Sequence, residues 1–281
     1  MAIIMDGKAL AQKVKDEVRD KIQKNGFTPG LAVVIVGDNP ASRIYVDSKK
    51  KDCAECGIRS EEFPLKEDAG EDALMALIDI LNNRRDIHGI LVQLPLPAGY
   101  SEDKVIQAIS PNKDVDAFNL LNVGKIVNGD YTFLPCTPAG VMEMLDHYGI
   151  DPAGKHCVVV GRSNIVGKPQ SMLLLHRHAT VTICHSRTQD LAAITKQADI
   201  LVAAVGKAGL ITADMVKPGA VVVDVAINRG ANGKLCGDVD YAAVKPVASY
   251  ITPVPGGVGP MTRAILMRNT LHAYLMRNEN K

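Results

Sequence analysis

Six short apolar runs set narrow limits on the fold of this chain. They are rich in valine, isoleucine and leucine, and most end in glycine or a loop residue. The runs lie at 31–37, 89–97, 156–161, 179–185, 199–206 and 219–227. Their side chains are apolar at nearly every position instead of alternating with polar ones, which is typical of strands buried on both faces of a parallel sheet.

Amphipathic segments separate these runs. Asp6 is predicted to cap a first helix with apolar side chains at four-residue spacing, and residues 71–82 repeat this pattern. Alternating strands and helices predict the α/β class. The stretch 122–138 contains Gly, Asn and Pro and interrupts the periodicity, so it is expected to separate two halves. The second half has the strand spacing of a dinucleotide-binding βαβ series, and a last helix is expected at about 262–278.

Composition excludes several classes of partner. The 281 residues include 32 Lys plus Arg against 31 Asp plus Glu, and this balance argues against nucleic acid or an anionic membrane as the main partner. No apolar stretch approaches the ~20 residues needed to cross a bilayer, and the first residues lack the basic segment of a signal peptide. The six cysteines do not suggest a disulfide framework. We therefore expect a soluble, cytoplasmic protein.

The loop Gly161–Pro169 follows one apolar run and is predicted to open a helix. At such a position backbone N–H groups and a helix N-terminus can bind a phosphate. The glycine spacing and Pro169 exclude a Walker A loop, and Ser163 replaces the second glycine of G-x-G-x-x-G. A plain strand-to-helix turn is the alternative.

The next apolar run favours NADP over NAD. NAD-binding versions of this fold place Asp or Glu near the end of the second strand, where it binds the ribose 2′-OH. Here the run ends without a carboxylate, and Ser186 and Arg187 offer hydroxyl and guanidinium donors that suit a 2′-phosphate. The alternative is that Arg187 is a solvated residue at the start of a helix.

Tyr45 and Lys49 are four residues apart and would share one face of a helix. Taken alone, the run Lys49–Lys51 is more typical of a solvated surface. Short-chain dehydrogenases are excluded, because their glycine-rich loop precedes Tyr-x-x-x-Lys. Gln93 interrupts an apolar run that two prolines end, so its amide is either satisfied in the core or faces a cleft at the carboxyl end of the strand.

Two further segments have less specific patterns. Asp114 and Asp116 lie in a loop that does not match a calcium-binding EF-hand, and such acids are usually caps or turn residues. Residues 252–262 form a stiff, apolar, glycine-bearing loop that lets backbone approach a flat ligand or connects to the last helix, with Thr262 as its cap. The CxxC pair at 53–56 has no second pair at zinc spacing, so no metal is predicted.

Taken together, Tyr45-x-x-x-Lys49, GILVQLPLP, KDVDAFN, GRSNIVGKP and PVPGGVGPMT resemble the methylenetetrahydrofolate dehydrogenase/methenyltetrahydrofolate cyclohydrolase family. The motifs occur in the family's order. The resemblance implies an α/β fold with an N-terminal substrate domain (1–138 plus 262–281), a Rossmann-type NADP-binding domain (139–261) and an active-site cleft between them. It also implies NADP as cofactor, tetrahydrofolate derivatives of one-carbon metabolism as substrates, and a homodimer.

The resemblance also implies residue roles. Lys49 would be the catalytic lysine, Gln93 its hydrogen-bonding partner and Tyr45 the residue that orients the folate. The other residues implied to bind the folate are Asp116, Pro255 and Gly256. Those implied to contact the dinucleotide are Gly161, Arg162, Ser163, Ser186 and Ile227. Ala117 stands where many relatives have glycine, and its methyl group is expected to alter the turn without abolishing binding.

Two alternatives to this function can be distinguished. The first is another two-domain NADP oxidoreductase, such as a shikimate-dehydrogenase-like enzyme, in which the cofactor domain also comes second. The second is a catalytically silent NADP- or folate-binding regulatory protein. Lys49 together with Gln93 argues against a silent binder, because pure binding needs no basic amine at the reacting carbon.

Overall fold

The computed structural model describes residues 2–230 and 233–279. The chain divides into two compact units. Met1–Ala11 and Thr137–Thr262 form one, named here the six-stranded unit after its main sheet. Gln12–Cys136 and Arg263–Lys281 form the other, named the three-stranded unit.

The strands, in chain order, are β1 (Ile3–Ile4), β2 (Gly30–Val36), β3 (Arg59–Leu65), β4 (Gly89–Val92), β5 (His156–Val160), β6 (Thr180–Cys184), β7 (Ile200–Ala203), β8 (Val221–Asp224), β9 (Asn228–Arg229), β10 (Leu235–Cys236) and β11 (Tyr250–Ile251). The helices are α1 (Gly7–Asn25), α2 (Pro40–Cys56), α3 (Glu71–Asn83), α4 (Glu102–Ala108), α5 (Leu120–Asn128), α6 (Cys136–His147), α7 (Gly167–His176), α8 (Leu191–Thr195), α9 (Tyr241–Val244) and α10 (Val258–Glu279).

The main sheet of the six-stranded unit is parallel throughout. Its strand order is β1-β11-β8-β7-β5-β6. The chain passes from β5 to β6 on one side and then to β7 on the other, so the strand order reverses beside β5. Ligands of such open sheets bind beyond the carboxyl ends of the strands at this point of reversal. The loop Gly161–Pro169 begins there.

The three-stranded unit repeats this reversal on a smaller scale. Its strands have the order β3-β2-β4, and all are parallel. Every residue of the central strand β2 is buried. The chain passes from β2 to β3 on one side and to β4 on the other, which leaves an opening beyond the carboxyl ends of β2 and β4. Gln93 is the first residue after β4.

Most of the predicted elements are confirmed. All six apolar runs contain a parallel strand, and the segment predicted at 71–82 is α3. The carboxylate of Asp6 caps α1 by accepting from the N–H of Ala9 at 3.0 Å. The last helix begins at Val258 instead of about 262, so Thr262 is not its cap. The Thr262 hydroxyl donates to the Val258 carbonyl within the helix.

The two units differ from the domain limits predicted from the sequence mainly at the N-terminus, and otherwise only by one or two residues, at 137–138 and at 262. The prediction assigned all of 1–138 to the substrate domain. In the structure β1 pairs with β11, so the first eleven residues lie in the six-stranded unit. The assignment of one domain to folate and the other to NADP stays a prediction.

Candidate functional site

Lys49 and Gln93 form a direct hydrogen bond in the three-stranded unit. The Nζ of Lys49, on α2, donates to Oε1 of Gln93 at 3.0 Å. The Nε2 of Gln93 donates to the carbonyl of Leu94 at 2.6 Å, and its backbone N–H donates to the carbonyl of Val34 on the neighbouring strand at 2.9 Å. Because backbone and side-chain amide are both held, the amide oxygen stays directed at the lysine. The amide of Gln93 is therefore hydrogen-bonded at the carboxyl end of the strand, and its facing a cleft stays a prediction.

Tyr45 lies one helical turn before Lys49 on α2. Its side chain is 39% exposed, although it is large and apolar over most of its area. An exposed ring beside a half-buried amine offers a flat surface on which an aromatic ligand can stack. The structure therefore brings Tyr45, Lys49 and Gln93 together at one place.

The two carboxylates of the 113–117 loop have different environments. Asp114 is buried, and its Oδ2 accepts from the backbone N–H of Asn119 and from Nδ2 of Asn122, both at 2.8 Å. Asp114 therefore stabilises the loop to which it belongs. Asp116 is only half-buried, and it lies close enough to Lys49 for its charge to act on the amine. Asp116 is the carboxylate that a ligand can reach.

The backbone of this loop explains the position of Asp116. Asp114 forms a parallel bridge with Ile90 of β4, so the chain runs beside that strand toward the end that carries Gln93. The next residue after Asp116, Ala117, is buried and has a φ of 58°. This left-handed conformation costs roughly 1 kcal/mol for a residue with a Cβ and favours glycine. Ala117 therefore keeps the turn at a local energetic cost.

Burial lowers the pKa of Lys49 below the ordinary lysine value. The charge of Asp116 opposes this effect, whereas the charge of Arg263 adds to it. Arg263 pairs with the buried Asp52, which lies on α2 one turn after Lys49. The Nη1 of Arg263 is 3.1 Å from Oδ2 of Asp52. The other oxygen of Asp52 pairs with Lys15 at 3.0 Å. The carboxylate of Asp52 thus has two cations close to it, and burial together with the charge of Arg263 moves the pKa of Lys49 downward.

Cys136 is a further neighbour of this group. It is buried, its Sγ donates to the carbonyl of Val115 at 3.4 Å, and its side chain also hydrogen-bonds with Asp116. Burial raises the pKa of this thiol well above its ordinary value, so it acts as a neutral donor. Sequence reasoning missed Cys136, Arg263 and Asp52. The stretch containing Cys136 suggested only a connection, and nothing in the local pattern marks the other two.

The six-stranded unit has a cavity of about 480 Å³ at the point of strand reversal, a size typical of small-molecule sites. Gly161 begins its floor with a φ of 136°, and a Cβ there would lie 2.3 Å from the carbonyl oxygen of Ala204. Only glycine fits this close approach between the ends of β5 and β7. The lining residues are Val160, Gly161, Arg162, Ser163, His185, Ser186, Thr188, Leu191, Ala204, Val205, Lys207 and Leu210.

The predicted dinucleotide residues divide at this cavity. Arg162, Ser163 and Ser186 line it, whereas Arg187 follows Ser186 in the chain but is not among the lining residues. The Oγ of Ser163 also accepts from two backbone N–H groups at the start of α7, at 3.2 and 3.3 Å. Lys207 lines the cavity too and was not anticipated. None of the described lining residues is acidic, so the cavity suits an anion.

Ile227, Pro255 and Gly256 share a second, smaller cavity of about 100 Å³ in the same unit. It lies beyond the end of β8, and its lining is almost entirely apolar. A small apolar cavity of this kind suits the face of a flat ring. The structure thus places Ile227 with the two loop residues and apart from Arg162 and Ser186.

The described residues contain neither a cluster of side chains that could hold a metal ion nor a helix that could span a membrane. No three His, Cys, Asp or Glu side chains among the described residues are grouped closely enough to hold a metal ion. None of the described helices combines the length and the apolar character that crossing a bilayer requires.

Comparisons with known proteins agree with the geometry of both units. Residues 5–116 match the family model of the tetrahydrofolate dehydrogenase/cyclohydrolase catalytic domain, and residues 135–278 match that of the tetrahydrofolate dehydrogenase/cyclohydrolase NAD(P)-binding domain. The bifunctional protein FolD of Ruminiclostridium cellulolyticum is 56% identical over 280 residues, which cover 99% of each chain.

Solved structures give the same result. The bifunctional FolD methylenetetrahydrofolate dehydrogenase/cyclohydrolase of Campylobacter jejuni has a TM-score of 0.96 and 49% identity, over 99% of this chain and 100% of that one. The Trypanosoma brucei methylenetetrahydrofolate dehydrogenase-cyclohydrolase, solved with NADP and an inhibitor, has a TM-score of 0.93 and 36% identity, over 99% and 98% of the two chains. The chain therefore belongs to the tetrahydrofolate dehydrogenase/cyclohydrolase family.

Proposed function

We propose that Lys49, oriented by Gln93, is the general base with which this bifunctional methylenetetrahydrofolate dehydrogenase and methenyltetrahydrofolate cyclohydrolase performs its hydrolytic step. One observation carries the proposal: the lysine donates to the fixed oxygen of Gln93 at 3.0 Å while burial lowers its pKa. A lysine with an ordinary pKa is almost wholly protonated at neutral pH and cannot accept a proton.

The dehydrogenase step needs binding more than proton transfer. When bound, NADP⁺ would supply the acceptor for the hydride that the methylene bridge loses as it becomes a cation shared by two nitrogens. The task of the protein is to place the reactants. We assign the pterin N–H donors to the carboxylate of Asp116 and the aromatic face of the folate to Tyr45. Pro255 and Gly256 are assigned to the ring site in the small apolar cavity.

The hydrolytic step needs a base. Water attacks the methenyl carbon, and the neutral Lys49 amine accepts the proton that water loses. One carbon–nitrogen bond then breaks: the proton held by Lys49 passes to the departing nitrogen, and the hydroxyl of the adduct releases its remaining proton to solvent as it becomes the carbonyl of the 10-formyl product. The amine is thereby returned to its neutral form. Gln93 accepts a hydrogen bond from Nζ throughout and directs the nitrogen lone pair toward the water.

The cavity beyond β5 is assigned to the dinucleotide. Its glycine floor, its hydroxyl and basic side chains and its lack of acidic lining residues all fit the phosphates of NADP. Arg162 and Ser186 are proposed to hold the 2′-phosphate, Gly161 and Ser163 to approach the pyrophosphate, and Ile227 to contact the nicotinamide end. Arg187 does not line the cavity, and we propose it as a second, more distant cation for the 2′-phosphate.

Replacing Lys49 tests the role of the amine. In Lys49→Met, hydrolysis of methenyltetrahydrofolate, followed by the loss of its absorbance, is expected to fall at least ~100-fold, because no other base replaces the amine. Lys51→Met is the matched control, since this lysine on the same helix is exposed. Hydrolysis at the normal rate in Lys49→Met would contradict the assignment.

The unmodified protein tests both activities together. With methylenetetrahydrofolate and NADP⁺, reduced cofactor should appear with little accumulation of the methenyl form, and NAD⁺ in parallel should react more slowly. Persistent methenyl would mean that the lysine chemistry fails. Absence of reduced cofactor with either nucleotide would favour a silent binder.

We further propose that the protein is a cytoplasmic homodimer. The edge strand β6 supports an association between copies, because its outer backbone edge has no partner strand among the described residues and Ile183 on it is 37% exposed. Light scattering coupled to gel filtration tests the dimer: a mass of about twice 30.1 kDa is expected, and a monomer at micromolar concentration would contradict it.

A further inference from the structure

The carboxylate of Asp238 binds the backbone of the loop at residues 205–207. Asp238 is fully buried and follows the short β9–β10 hairpin. Its Oδ2 accepts from the backbone N–H groups of Val205 at 2.6 Å and Gly206 at 3.1 Å. Its Oδ1 accepts from the backbone N–H of Lys207 at 2.6 Å and from Nδ2 of Asn228 at 3.0 Å. Four donors therefore converge on one carboxylate.

Three of these donors are consecutive backbone N–H groups, so the loop curves around the carboxylate as a backbone nest curves around an anion. The same loop leaves β7 and forms a wall of the cavity assigned to the dinucleotide, which Val205 and Lys207 both line. Its N–H groups point at Asp238, which lies on the side of the loop away from the cavity. The Asp238 carboxylate therefore fixes the conformation of the loop. Charge-assisted hydrogen bonds of this kind are about twice as strong as neutral ones.

A second carboxylate holds Asp238 in turn. Asp224, at the end of β8, accepts from the backbone N–H of Asp238 at 3.0 Å and from that of Val239 at 2.8 Å. The chain packs so closely here that a Cβ on Gly237 would overlap the Asp224 carboxylate. Asp224 also accepts from the N–H of Ala226 at 3.2 Å, next to the proposed cofactor contact Ile227. The ends of β7 and β8 are thus joined through two buried carboxylates.

We infer that Asp238 is a positioning residue for the dinucleotide, which holds Val205–Lys207 in the shape that forms the cofactor cavity and places Lys207 beside the cofactor phosphates. The inference rests on the proposed assignment of this cavity. Lys207 makes no ion pair with the described residues and, with Arg162, gives the cavity two cations and no acidic lining residue. Asp238 itself lies behind the loop and does not line the cavity.

Asp238→Asn is the direct test. In either orientation the new amide places an NH₂ group against two of the four donors, so at least two hydrogen bonds are lost. The KM for NADP⁺ in the dehydrogenase reaction is expected to rise at least ~tenfold. The KM for methylenetetrahydrofolate and the rate of methenyl hydrolysis should stay within about twofold, because hydrolysis requires no hydride acceptor. A merely structural role would lower both activities together with the melting temperature.

Asp240→Asn is the matched control. Asp240 lies two residues away and also accepts a backbone N–H, that of Ala243 at 3.2 Å at the start of α9, but among the described residues none of its hydrogen bonds reaches the 205–207 loop. The KM for NADP⁺ should be unchanged in this variant. An unchanged KM in Asp238→Asn, or an equal loss of both activities there, would overturn the inference.

Two further variants keep the result decisive. If Asp238→Asn does not yield folded protein, Asn228→Ala removes one of the four donors, and a two- to fivefold rise in the KM for NADP⁺ is expected; an unchanged KM overturns the inference. Arg162→Gln separates this inference from the cavity assignment. If Arg162→Gln raises the KM for NADP⁺ and Asp238→Asn does not, only the positioning role fails, whereas no effect of either variant means that the cavity assignment fails.

Discussion

Gln93→Glu tests the electrostatic basis of the hydrolytic step with almost no change in side-chain shape. The substitution places a carboxylate where the amide oxygen now lies, 3.0 Å from Nζ of Lys49. Two opposite unit charges at that separation attract by about 5 kcal/mol at an effective dielectric constant of about 20. Both side chains are only half-buried, and allowing for solvent screening reduces this to about 3 kcal/mol, or about two pKa units.

The sign of this effect is clear. A neighbouring negative charge favours the protonated lysine and therefore raises the pKa of Lys49. At neutral pH the fraction of neutral amine, and with it the rate of methenyl hydrolysis, should fall about 100-fold. The rate should recover as the pH is raised, so the acid limb of the pH profile moves up by about two units. The dehydrogenase step should change much less, because it needs no base.

Gln93→Met is the control for this experiment. It removes the hydrogen bond without adding a charge, so hydrolysis should slow through loss of orientation while the pH profile keeps its position. The assay is the loss of methenyl absorbance between pH 6 and pH 9, after subtraction of the uncatalysed rate. If the profiles of Gln93→Glu and Gln93→Met coincide, the electrostatic reasoning is refuted.

Two further predictions concern the cofactor and stability. Ser186→Asp should lower the ratio of kcat/KM for NADP⁺ to that for NAD⁺ at least ~100-fold, because a carboxylate repels the 2′-phosphate; an unchanged ratio would show that Ser186 does not face it. Burial lowers the pKa of His88 to about 4, and its Nδ1 accepts from the N–H of Gly30 at 3.0 Å. The unfolded chain therefore takes up a proton below about pH 6.5, whereas the folded chain takes it up only below about pH 4. About 3 kcal/mol of stability should be lost as the pH falls through that window. Urea unfolding of the wild type and of His88→Gln checks this, since the variant should lack that part of the pH dependence.

Strands with a strong apolar pattern could be predicted from the sequence, and those without one could not. The residues of β3, Arg59–Leu65, are mostly polar and half-exposed, although the strand pairs with the buried β2 over its whole length. No apolar run marks such a strand. The strands β1 and β11 have two residues each, too few to show any periodicity. Their pairing is decided by contacts between distant parts of the chain.

The same distinction applies to the candidate site. Tyr45 and Lys49 share a helix face, and Gln93 follows a strand, so local pattern together with the family resemblance was enough to select them. Asp238 lies 31 to 33 residues from the loop it holds, and no local pattern connects the two. Arg263 likewise reaches the Lys49 region only through the packing of α10 against the buried Asp52.

The most direct measurement is the titration of the Lys49 amine itself. The ¹⁵N signal of its Nζ can be assigned by its absence from Lys49→Met and followed with pH in the unliganded protein. Its midpoint should lie below the ordinary lysine value of 10.5 and should coincide with the acid limb of kcat/KM for methenyl hydrolysis. A Lys49 amine that titrates at or above 10.5, with hydrolysis still fast at neutral pH, would contradict its role as the base.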